Sequence, residues 1–74
     1  MMDQLDVDLL KSVADHENGI VREIIRPFIH KYGESKLRRH ITNLAVDGLV
    51  KLDRRRGHNR VFVAITNEGH KVIA

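Results

Sequence analysis

Apolar residues recur along this chain first at helical spacing and then, past Gly48, at every second position. Leu5, Leu9, Leu10, Val13 and Ala14 form one stripe, which predicts a helix from about Asp3 to His16. Asp3 or Asp6 can cap its start, and Asp6 and Asp8 suit the positive end of its dipole. Asn18-Gly19 should stop it, because both residues tolerate the left-handed cap conformation. Ile20-Val21 has the composition of a very short strand. A second helix is expected from about Arg22 to Lys31, burying Ile24, Ile25, Phe28 and Ile29. Pro27 leaves two options open there, a late start near Ile24 or a bend at the proline, and Gly33 ends the segment.

The third helix should run from Glu34 or Ser35 to about Asp47, with Ser35 as N-cap and Gly48 as the stop. Leu37, Ile41, Leu44 and Ala45 follow the i, i+4, i+7, i+8 rule and define its buried stripe. At about 100° per residue the opposite side carries Arg39, Asn43, Val46, Thr42, Ser35 and Lys36, with Arg38 and His40 on the flanks. Beyond Gly48 the period falls to two. Val50 and Leu52 alternate with Lys51 and Asp53, and Val61, Val63 and Ile65 alternate with Phe62 and Ala64. That pattern predicts a hairpin whose tip is Arg54 to Arg60, with Gly57, His58 and Asn59 as turn residues. Thr66 can then cap a short final helix reaching Val72-Ile73-Ala74. The expected fold class is α+β, with three helices, a β-hairpin and a short C-terminal helix in one domain spanning residues 1–74.

Length makes that core marginal. A chain of 74 residues buries only roughly 60–65% of its unfolded surface. Without cysteine it has no disulfide to compensate, which makes self-association a reasonable remedy. Met1, Met2, Leu5, Val72 and Ile73, apolar and near the chain ends, are the expected dimer surface. The absence of cysteine fits a reducing compartment. No basic leader or apolar run of membrane-spanning length is visible, so a cytoplasmic, nucleoid-associated protein is expected.

Charge changes the picture more than composition does. The formal net charge is +3, but residues 1–34 hold four Lys/Arg against seven Asp/Glu, whereas residues 35–74 hold nine against three. Such asymmetry suggests a polyanion-facing half and a scaffold half. The third helix supplies Ser35, Lys36, Arg38, Arg39, Thr42 and Asn43, and its outward face holds no acidic residue between Ser35 and Val46. Arginine pairs bidentately with guanine, asparagine with adenine, and threonine can touch either. The hairpin tip supplies Arg54, Arg55, Arg56, His58, Asn59 and Arg60, suited to phosphates or to a narrow minor groove.

Other chemistries find little support. The five histidines show no i, i+4 pair of a helical metal site, so neither a metal nor a cofactor is expected. Phe28 and Phe62 are expected in the core, and few aromatics leave no stacking platform for single strands. No phosphate-binding glycine loop or nucleophile motif occurs, so an enzyme is not expected.

Three stretches resemble the winged helix-turn-helix domain of MarR-type and related prokaryotic transcription regulators. Leu44-Ala45-Val46-Asp47-Gly48-Leu49-Val50 is similar to the family's exit from the recognition helix. Arg54 to Arg60 resembles the wing, and Ile65-Thr66-Asn67-Glu68-Gly69 the opening of the helix after it. Pro27 and a long connection over residues 29–34 depart from the family's tight turn. The chain also shows no counterpart of the long terminal helices with which full-length MarR proteins dimerise and bind ligands. The resemblance implies a homodimeric, sequence-specific binder of double-stranded DNA, a repressor before an activator, with little room for ligand sensing. Two alternatives are a winged-helix protein-interaction module and the DNA-binding component of a replication or plasmid-maintenance system.

Overall fold

A computed structural model describes residues 2–54 and 60–74. It is a small α+β domain in the order α1 (Gln4–Asp15), β1 (Gly19–Ile20), α2 (Val21–Ile25), a 3-10 turn (Arg26–Phe28), α3 (Ile29–Tyr32), α4 (Glu34–Val46), β2 (Val50–Arg54), β3 (Val61–Ile65) and α5 (Asn67–Ile73). The strands form one antiparallel sheet in the order β1-β3-β2. Among the described residues no helix is long and apolar enough to cross a membrane.

The core lies where the apolar stripes converge. Leu5, Leu9, Leu10 and Val13 of α1 meet Val21, Ile24 and Ile25 of α2, Leu37, Ile41 and Leu44 of α4, and Val50 and Val63 of the sheet. Each stripe follows its element's period, so one face of every helix and one face of the hairpin disappear from water. Phe28, Ile29, Leu52, Val61, Ile65 and Ile73 pack around this centre, half-buried. Asp3 is the N-cap of α1, and Asp6 returns the bond to complete a capping box.

Several local expectations are corrected. Gly19 does not end α1 through its backbone freedom; Asn18, at φ 58°, makes that turn. Gly19 is needed for space, since a Cβ there would stand 2.8 Å from the His16 carbonyl oxygen. Val21 starts α2 rather than extending the strand, leaving β1 as Gly19–Ile20. At Pro27 the segment tightens into the 3-10 turn and then continues as α3, because proline removes an N–H and crowds the preceding turn. The supposed long connection is therefore helical to Tyr32, and Gly33 alone separates α3 from α4. Phe62 is not core: it lies half-buried on the outer side of the sheet. There Asn18, Lys51, Asp53, Phe62, Val63 and Ala64 line a hollow of about 180 Å³.

The terminal apolar residues are also used differently than expected. Leu5 belongs to the core, and Met2 and Ile73 pack against it. Of the expected dimer surface only Val72, 42% exposed, offers an open side chain among the described residues.

Candidate nucleic-acid interface

The position of α4 follows from Gly33. At φ 83° and ψ 150° it occupies a backbone region that L side chains avoid, which lets the chain reverse and restart a helix at once. The Gly33 carbonyl accepts the Leu37 N–H at 3.2 Å. Ser35, expected as N-cap, is instead inside the first turn, and no side chain caps the helix. The helix ends at Gly48, also left-handed at φ 78°.

With Leu37, Ile41 and Leu44 buried, Ser35, Lys36, Arg38, Arg39, Thr42 and Asn43 are all exposed. They are not equivalent. The Arg38 Nε lies 3.7 Å from the Glu34 carboxylate in a solvent-exposed i, i+4 pair, a weak tether of about 0.3–0.5 kcal/mol. Thr42 donates its hydroxyl proton to the Arg38 carbonyl at 3.0 Å, leaving its oxygen to accept. The Lys36 ammonium sits 5.5 Å from the Tyr32 ring centre, and Lys31 lies 5.3 Å from the same ring. Tyr32 thus holds two ammonium groups beside the start of α4. Arg39 and Asn43, one turn apart, form no side-chain hydrogen bond or ion pair among the described residues and face open solvent.

The hairpin stands directly beyond this helix. Only residues 47–49 separate α4 from β2, and this corner is pinned from behind. The Thr66 hydroxyl donates to the Gly48 carbonyl at 2.7 Å, and the Thr66 N–H donates to the Leu49 carbonyl at 3.1 Å. The same hydroxyl oxygen accepts the Gly69 N–H at 3.1 Å and caps α5. Five paired positions, Val50↔Ile65 to Arg54↔Val61, carry the ladder outward. Arg54 and Arg60 are exposed where the two strands reach the tip. Arg55, Arg56, His58 and Asn59, expected as contact residues, lie outside the described residues.

One feature of α4 escaped the sequence reading. His40 turns away from the basic face toward α1, where its Nδ1 lies 2.7 Å from the Asp6 carboxylate. Both side chains are mostly buried, at 18% and 17% exposed. The position of His40 three residues after Leu37 and four before Leu44 was the only sequence signal. Its partner lies 34 residues away, beyond any local pattern. Asp3 lies beside the pair. The Asp6 N–H donated to the Asp3 carboxylate, helped by the smaller influence of His40 and of the Asp6 side chain, holds the Asp3 pKa below the ordinary 3.8. A depressed acid contributes stability above its unfolded value and loses it as pH falls through the folded value. A carboxyl-detected NMR titration is accordingly expected to place the Asp3 midpoint below 3.8. Loosening of the first turn of α1 should follow at still lower pH; a midpoint at or above 3.8 would contradict the cap.

No protein family matches the chain, and neither a curated protein nor a solved structure shows significant similarity to it.

Proposed function

We propose that this chain binds double-stranded DNA through a winged helix-turn-helix architecture, α4 entering the major groove and the β2–β3 hairpin lying against the flanking backbone. The observation that carries the reading is the outward row of α4. Arg39 and Asn43 stand side by side, unengaged among the described residues and backed by a fully buried stripe. Arginine and asparagine match the acceptor–donor patterns of guanine and adenine in the major groove. The short pinned corner supports the second contact, because it holds the exposed Arg54 and Arg60 at a fixed distance from that row. Transcription regulation, repression in particular, is the role that such a reader would serve. The proposed acting unit is a homodimer on half-sites about 34 Å apart. Sedimentation of the protein on its duplex at the mass of one chain would reduce the site to a single half.

The deciding experiment is anisotropy titration with duplex DNA at two salt concentrations. Steeply salt-dependent retention of random duplex is expected, since neutralised phosphates release counterions. No retention at low salt would point instead to a module docking an acidic protein. On a duplex selected from a random pool, Arg39→Ala or Asn43→Ala should each cost about 1–3 kcal/mol and relax selectivity at one position. If the double substitution binds the selected duplex as the parent does, α4 is not the reading helix. Arg54→Ala or Arg60→Ala should weaken all duplexes alike and lower the salt slope by about one each. An unchanged slope would remove the hairpin from the interface.

A further inference from the structure

We infer that the Asp6–His40 contact is a proton-dependent latch that positions α4 on α1, and that its protonation tightens DNA binding; this second part rests on the function proposed above. The ion pairs Glu23–Arg26, Glu34–Arg38 and Glu68–Lys71 and the Gln4–Asp8 hydrogen bond each stay within one short helical stretch. The Asp6–His40 pair instead bridges two helices at 2.7 Å, from mostly buried positions. Its geometry is fixed at the Asp6 end. The second Asp6 oxygen accepts the Asp3 N–H at 3.4 Å, and the Asp6 N–H donates to Asp3 at 3.0 Å. The carboxylate is therefore held by the capping box and has little freedom to follow a displaced histidine.

Neutral His40 reaches Asp6 by donating from Nδ1, which leaves Nε2 without a proton. A second proton converts the contact into an imidazolium–carboxylate bond, the stronger kind. From α1 the acidic groups facing His40 are Asp6 and Asp3, with one oxygen of each within 4.8 Å of the other and of an imidazole nitrogen. On α4 itself, Lys36 stands one turn earlier and Arg39 next to it, directed to the outer face. Histidine is the side chain whose charge changes between about pH 5 and 8. The residue after Arg39 thus ties the base-reading row to the scaffold with a strength that depends on the proton. His40 is a positioning residue, since it acts through the pose of Arg39 and Asn43.

The test compares the parent chain, His40→Asn and Asp6→Asn at about pH 6 and pH 8. Asparagine at position 40 keeps a donor near Nδ1 but does not titrate. Thermal unfolding without DNA reads the latch itself. The parent should gain about 2–4 °C over His40→Asn at the lower pH and little at the higher. Binding of a random-sequence duplex reads the coupling. The parent should tighten on acidification by on the order of threefold more than His40→Asn, and Asp6→Asn should remove that excess. Equal unfolding profiles would overturn the latch. A latch seen in unfolding with identical binding profiles would overturn its coupling to DNA. If no chain binds duplex at either pH, the DNA reading falls while the unfolding comparison still judges the latch.

Discussion

Gly69→Ala is expected to destabilise the domain by about 3 kcal/mol, lowering its thermal midpoint by roughly 10 °C or more. The first turn of α5 rests on the backbone of Leu49. A Cβ at position 69 would stand 2.2 Å from the Leu49 carbonyl oxygen and 2.7 Å from Cγ1 of Ile65. The carbonyl cannot withdraw, because it also accepts the Thr66 N–H. Alanine ordinarily favours a helix over glycine by about 1 kcal/mol, so propensity alone predicts the opposite sign. Thermal unfolding by circular dichroism decides between them. A midpoint unchanged or raised would mean that α5 does not sit on Leu49.

Leu37→Ala should cost a comparable amount, about 2–5 kcal/mol. Leu37 is fully buried on the inner face of α4, and truncation leaves a void in the shared core that a close-packed interior fills only partly. Natural domains are stabilised by roughly 0.05–0.15 kcal/mol per residue, so this loss is a large share of what 74 residues hold. The matched control lies on the same helix. Val46 is 79% exposed, and Val46→Ala should stay within about 0.5 kcal/mol of the parent. Urea unfolding of both variants measures the contrast. Equal midpoints would place Leu37 outside the core.

The helices and the hairpin were legible because each buries one face at its own period: Leu37, Ile41 and Leu44 at helical spacing, Val50 and Leu52 at two. The Thr66-to-Gly69 stretch was legible as a pattern before its reason was visible. The structure supplies the reason, a hydroxyl that pins the corner and a glycine thin enough to lie on it. What the sequence hid was set by distance or by room. The bond between His40 and Asp6 joins segments 34 residues apart, and no periodicity carries such pairings. Gly19 answers to a carbonyl in the preceding turn rather than to its own dihedral. Phe62, read as core from its type, falls on the outer side because alternation along β3 places it opposite Val63. The segment through Pro27 was expected to be helical to about Lys31, with a late start or a bend left open. Proline signals an interruption but not its form, here a 3-10 turn between α2 and α3. For the candidate interface, the outward set on α4 was visible in the wheel. That Glu34 tethers Arg38 while Arg39 stays unengaged needed side-chain positions.

The corner at residues 47–49 has a consequence for affinity under the proposed function. A helix and a hairpin on a slack tether would bind a duplex as two ligands, the second searching a volume set by the tether. Pinned by Thr66 through Gly48 and Leu49, they behave as one bivalent ligand with a stiff spacer. Once α4 is seated, the hairpin meets the backbone at a high effective concentration if the spacing matches, and not at all if it does not. Lengthening the corner by two glycines, with every contact residue intact, should then weaken duplex binding more than loss of any single arginine. Under the proposed function, the spacing between the two arms would itself be part of what is recognised.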